Sequence, residues 1–166
     1  TGRWRNDPRM AERPTGRLIA YRADRLGARL VSLMNAMRIA RVVGAEFSCA
    51  WTETTGVGDV FNDPTELFDP EFVAAHFLTP QAWKTARPNA MPLQPGTAGT
   101  ASEVLSIVAC GQDVVVGNAF GVIALAGEQV SAITPDFRAE FANIPFSASV
   151  ASAMRAADVA LPGQTE

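Results

Sequence analysis

Histidine, lysine and tyrosine each occur once among 166 residues, and cysteine twice. Each shortage excludes a class of chemistry. His76, with no second histidine or cysteine at ligand spacing, cannot build an ordinary zinc site. Lys84 follows Trp83 and belongs to no Walker motif. Cys49 and Cys110 are too few for a secreted disulfide framework and read as buried or reduced thiols of a cytoplasmic protein. No apolar run approaches the roughly 20 residues of a membrane span. The longest candidate, 120–126, is short and followed by Glu128. No basic region leads into a purely apolar stretch, so neither a membrane span nor a secretory signal is expected. What remains is 48% hydrophobic and 19% charged, the balance of a folded domain rather than a disordered or collagen-like chain. At this length a compact domain buries roughly 70% of the surface that its unfolded chain exposes.

Arginine is the residue in excess. Ten of the thirteen arginines fall within residues 1–41, against Asp7, Glu12 and Asp24, so this segment carries +7 and the remainder −10. An end this basic either meets an anionic partner or docks on the chain's own acidic part. Nucleic acid fits poorly, because the arginines are spread around a helix rather than lined up as a stripe and no aromatic interleaving accompanies them.

Residues 1–16 mix Arg, Pro, Gly and polar residues without an apolar period and read as a flexible leader before one α/β domain over 17–166. Residues 17–22 have the length of a buried strand. A tight loop through Gly27 follows, then a helical period over 28–43. Leu26, Leu30, Leu33, Met34, Met37 and Ala40 share one face, while Val31, Ile39, Val42 and Val43 make the opposite side apolar, so this helix is expected to be covered on two sides. Arg29, Ser32, Asn35 and Arg38 lie elsewhere. Gly44 is a natural C-cap, and 46–51 alternates as a second strand. The unit is βαβ, the building block of a parallel sheet.

Further on, Asp69-Pro70, Thr79-Pro80 and Thr134-Pro135 each combine a capping side chain with proline at the first helical position, which predicts helices over 71–77, 81–86 and 136–142. Residues 87–99, with three prolines and two glycines, predict an irregular surface loop. Thr100 and Glu103 have capping-box spacing and open a helix to about Cys110. The valine run in 113–118 predicts a strand buried on both faces, 120–127 a further strand, and 149–157 a last helix. Strands interleaved with helices give a layered, Rossmann-like parallel sheet with flanking helices.

The sharpest chemical feature is the strand-to-helix turn bearing Arg25, Gly27, Ala28 and Arg29. A helix N-terminus offers unpaired N–H groups and partial positive charge, Gly27 lets an anion approach, and the arginines can bind phosphate bidentately. The alternative is a plain turn in which glycine relieves crowding and the arginines are solvated. Gly56 and Gly58 form G-x-G without the third glycine or the immediate helix of a dinucleotide site. His76 sits among Phe72, Val73 and Phe77, as a core histidine or as a catalytic base. Asp59, Asp63 and Glu66 lack the spacing of a calcium loop. Trp51 lies at a strand's C-terminal end, where α/β proteins place ligands.

Residues 18–22, 25–30, 33–40 and 47–51, with a weaker echo at Glu66-Leu67-Phe68-Asp69, resemble the first βα unit of the fucosyltransferase-like glycosyltransferases, the group of the nodulation and protein O-fucosyltransferases. That pattern is a strand, a glycine turn, a helix with alanine and arginine near its end, and a strand ending in Trp. The resemblance implies the N-terminal half of a two-domain GT-B enzyme that transfers a sugar from a GDP-sugar to a glycan or hydroxyl acceptor, with no metal and no resident cofactor. It implies that Arg25, Gly27, Ala28 and Arg29 face the donor phosphates and that Trp51, Asp59 and His76 lie on the acceptor side. Ala28 stands where the family usually has asparagine, and the family's His-x-Arg-x-Gly motif is absent. The expectation is therefore an acceptor-side domain, inactive without its donor-binding half. A non-catalytic module that recruits an anionic partner through the arginine-rich segment is the alternative.

Overall fold

A computed structural model describes residues 16–52, 62–93, 98–117 and 121–160. The leader up to residue 15, the G-x-G at 56–58 and Asp59 lie outside them. The elements run β1 (Leu18–Tyr21), α1 (Leu26–Val43), β2 (Phe47–Ala50), α2 (Pro70–His76), α3 (Pro80–Ala86), β3 (Met91–Leu93), α4 (Ala101–Ala109), β4 (Val114–Val116), α5 (Val130–Asn143) and α6 (Ala148–Ala160). The four strands form an all-parallel sheet in the order β2-β1-β4-β3. The protein is thus an α/β layered domain whose parallel sheet is flanked by helices, consistent with the Rossmann-like expectation.

Side chains alternate across the sheet. Leu18, Ala20, Cys49, Val114 and Val116 enter the main core with Leu33, Ala36 and Ile39 of α1 and Val104 and Val108 of α4. Ile19, Ala50 and Trp83 make a smaller cluster on the other face, with Tyr21 and Val115 against it. Helix α1 therefore covers one face and α3 the other. The short strands have near-continuous apolar sequences because both faces are covered. Helix α1 ends at Gly44, whose φ of 70° is left-handed and whose N–H reaches the Ala40 carbonyl. The caps expected at Asp69, Thr79 and Thr100 are all present, the last as a reciprocal capping box with Glu103.

Four expectations need correction. Helix α1 starts at Leu26, so Gly27 lies in its first turn rather than before it. Residues 91–93, expected as loop, form edge strand β3. Met91 donates its N–H to the Asp113 carbonyl, which leaves the nitrogen of Pro92 on the outer side, where no ladder bond is needed. Helix α5 begins at Val130, four residues before the expected Thr134 cap, and carries Pro135 inside it. Proline removes an N–H there, and the Thr134 hydroxyl instead donates to the Val130 carbonyl at 2.6 Å.

The fourth correction concerns the apolar stretch 120–127. Its described part, 121–127, forms no strand, although Ile123 and Leu125 are fully buried. Its main-chain groups are met by side chains instead of a ladder. Asn35 donates to the Gly121 carbonyl at 2.9 Å and accepts the Ile123 N–H at 2.8 Å. Arg38 donates to the Ile123 carbonyl at 2.6 Å, and Glu128 accepts the Leu125 N–H at 2.7 Å. The polar residues of α1 thus do the work that a neighbouring strand would otherwise do.

Candidate functional site

The carboxyl ends of β1, β2 and β4 open onto one edge of the sheet, where the chain turns into α1 and toward α3. This edge carries the site expected from the β1–α1 turn. Arg25 is the exposed N-cap residue of α1, and its side chain makes no capping hydrogen bond. The first turn contains no acidic residue. A Cβ placed on Gly27 would meet nothing within 4 Å, so this glycine relieves no crowding and the space beside the helix N-terminus is open. Ala28 is half-buried.

Arg29 is placed differently from its neighbours. It is 2% exposed, with Nε donating to the Asp24 carbonyl at 3.0 Å and Nη2 to the Thr52 carbonyl at 2.5 Å. Its guanidinium lies 4.7 Å from the centroid of the Trp51 ring. The side chain therefore ties the β1–α1 turn to the chain leaving β2. Trp51 is itself buried, edge-to-face with Phe68 at 5.3 Å. His76 is half-buried and stacked on Phe47 at 4.3 Å, with the rings 7° apart. Phe47 opens β2 and Trp51 follows its end, so His76 packs at the start of the strand and Trp51 at its carboxyl end. Asp59 lies outside the described residues.

Four of the six described arginines of the basic segment meet the chain's own carboxylates. Arg17 approaches Asp113 at 3.8 Å, Arg38 grips Glu128 at 2.9 and 3.0 Å, and Arg41 reaches Glu140 at 2.6 Å. Arg22 forms a two-point pair with Asp24 and donates from Nη1 to the Gly117 carbonyl at 3.0 Å. The Arg22 hydrogen bond holds the Asp24 carboxyl below its ordinary value, and that pairing raises the guanidinium in turn. Of the two alternatives posed by the charge imbalance, docking on the chain's own acids accounts for these four arginines.

Two recesses lie at this edge and share Tyr21 and Ala23 as a common wall. One, of about 270 Å³, is bounded by Arg22, Leu93 and Gly117. Gly117 is required there, since a Cβ would stand 2.2 Å from the Tyr21 carbonyl oxygen. The other, of about 290 Å³, is bounded by Thr52, Trp83, Lys84 and Arg87. Tyr21 and Arg87 carry no signal in the sequence, and Lys84 shows there only as a lysine outside any Walker motif. Arg87 is the C-cap residue of α3, three residues after Lys84. Cys49 is sealed in the core, where burial, only partly offset by the charge of Arg29, pushes its thiol up to about 12, so it offers no nucleophile. No group of three or more His, Cys, Asp or Glu capable of holding a metal occurs among the described residues, and no described helix is long and apolar enough to cross a membrane.

No family model, no curated protein and no solved structure matches this chain.

Proposed function

We propose that this chain is the acceptor-side α/β domain of a nucleotide-sugar glycosyltransferase of the fucosyltransferase-like kind, the N-terminal half of a GT-B architecture. Its co-substrate in this reading is a GDP-sugar, its acceptor a glycan or hydroxyl group, and no metal takes part. The observation that carries the reading is the N-terminus of α1. It has no side-chain cap and no acidic residue in its first turn, it is flanked by exposed Arg25, and the space beside Gly27 is open. Free N–H groups and the helix dipole there favour a diphosphate.

Sugar transfer leaves negative charge on the departing nucleoside diphosphate, and fixed donors aimed at that charge lower the barrier. In this reading Arg25 and the amides of Leu26 and Gly27 face the diphosphate, those of Ala28 and Arg29 being donated to the Arg25 carbonyl. Arg29, closed between Asp24, Thr52 and Trp51, is a positioning residue that fixes the turn. The alternative, a non-catalytic module that recruits an anionic partner through the arginine-rich segment, would use arginines other than Arg17, Arg22, Arg38 and Arg41, which meet carboxylates of the same chain.

Titration of GDP and GDP-fucose into the ¹⁵N-labelled chain tests the proposal. The amides of residues 26–29 should shift with an affinity on the order of millimolar, about −4 kcal/mol, and Arg25→Ala should weaken the response. Shifts no larger than those caused by sodium chloride at equal ionic strength would refute it.

A further inference from the structure

Helices α1 and α3 pack on opposite faces of the sheet, the first after β1 and the second after β2. In open α/β sheets ligands bind beyond the carboxyl ends of the strands, where successive connections leave for opposite faces. The recess bounded by Tyr21, Thr52, Trp83, Lys84 and Arg87 occupies that position. At about 290 Å³ it falls just under the roughly 300–1,000 Å³ of typical small-molecule sites. A compact head group fits it better than an extended ligand.

Its charge is unusual for this molecule. Beyond residue 41 the chain has fourteen carboxylates and four cations, Lys84, Arg87, Arg138 and Arg155. Two of those four flank this one recess, and no carboxylate among the described residues lines it. The Arg87 guanidinium lies 5.4 Å from the Tyr21 ring centroid and 6.0 Å from that of Trp83, while the two rings lie 4.6 Å apart. Stacking on aromatic faces holds an arginine in place and leaves the edge of its N–H fork available. Among the described residues, neither the Arg87 guanidinium, nor the Lys84 ammonium, nor the Tyr21 hydroxyl has a hydrogen-bond or ion-pair partner.

We propose that this recess is a phosphate-binding site for a small phosphate ester, distinct from the N-terminus of α1. Arg87 supplies a bidentate contact, Lys84 a point charge and Tyr21 a hydroxyl donor. Two cations match the near-double charge of a phosphate monoester at pH 7, which sets phosphate above a carboxylate. The site stands on its own geometry and holds whether or not the chain belongs to a glycosyltransferase.

The test is an NMR titration of the full chain with inorganic phosphate, with acetate and sodium chloride at matched ionic strength as controls. It follows the arginine Nε–Hε signals and the amides of residues 84–87. Phosphate should shift these signals where chloride and acetate do not. Lys84→Gln and Arg87→Gln should each weaken binding about tenfold, and Arg155→Gln, at an exposed site elsewhere, should leave it unchanged. Both test positions are exposed, so the variants should keep the parent spectrum. The wild-type arginine signals decide the matter even if one variant does not. Equal shifts with acetate, or undiminished binding in the two variants, overturn the proposal. Phosphate shifts confined to residues 26–29 would overturn it while leaving the reading of the α1 turn intact.

Discussion

Helices α1 and α4 share one core and are secured by opposite strategies. Helix α4 is fixed at its start by Thr100 and Glu103, three residues apart, each bonded to the other's main chain. Helix α1 has no such local device at Arg25. Four of its polar side chains instead reach distant segments: Arg29 the end of β2, Ser32 the Val116 carbonyl, Asn35 residues 121 and 123, and Arg38 residues 123 and 128. A local cap stabilises one helix end. A long-range clamp makes the helix and its target one cooperative unit. It also leaves the first turn of α1 uncapped at the edge where ligand sites are expected.

The largest effect should come from the centre of that clamp. Arg38 is 1% exposed and holds both oxygens of Glu128 together with the Ile123 carbonyl. Arg38 is buried and Glu128 half-buried, so removing the arginine leaves the Glu128 carboxylate and the Ile123 carbonyl unmet and Arg38→Ala should cost about 3 kcal/mol, the lower end for a buried pair, read as a lower urea midpoint. The double variant Arg38→Met with Glu128→Met should recover much of that loss. If Arg38→Ala proved as mild as a surface change, the helix would not depend on its clamp.

Asn35 comes next. It is fully buried, and its loss strands the Gly121 carbonyl and the Ile123 N–H. Each unmet group costs about 1–3 kcal/mol, so Asn35→Ala should destabilise on that scale. Hydrogen exchange at Ile123 should quicken before exchange in β1. If exchange at the two sites quickened together, residues 121–128 would belong to the sheet's own cooperative unit.

The same contrast governs what could be read from the sequence. The caps at Asp69, Thr79 and Thr100 were legible because both partners lie within three residues, and Gly44 because the left-handed conformation favours glycine. The central strands were legible as valine- and leucine-rich runs. The Asn35 and Arg38 contacts were not, since their partners lie 85–90 residues away, and polar residues on a helix ordinarily signal a solvated face. That is why residues 120–127 resembled a strand: the stretch has the apolar content of one, but over 121–127 side chains rather than a ladder meet the main chain. Of the candidate site, the Gly27 turn and the position of Trp51 were visible. The Lys84 and Arg87 recess was not, because it exists only once α3 folds back beside Tyr21.

A local cap should show a smaller and more contained effect. Asp69 accepts the N–H groups of Glu71 and Phe72 at 2.9 and 3.3 Å. Asp69→Ala should cost about 1 kcal/mol and quicken exchange only in α2. A loss as large as that of Arg38→Ala would erase the distinction between cap and clamp.

The smallest expected effect is the pH dependence of the clamp. Burial by itself would raise the Glu128 carboxyl. The hydrogen bonds from Arg38 and from the Leu125 N–H, with the charge of Arg38, outweigh it and hold the group below its ordinary value. A carboxyl depressed in the folded state contributes stability above its unfolded value of about 4.3, and loses that contribution as pH falls through the folded value. The stability difference between the parent chain and Glu128→Gln should therefore be constant near neutrality and shrink below that range. Asp24, depressed by Arg22, titrates in the same direction but belongs to the sheet edge. The Asp24→Asn variant should retain the Glu128 contribution and lose only its own. A difference that grew on acidification would mean that Glu128 is carried protonated in the fold, and that Arg38 is held by its carbonyl contact rather than by charge.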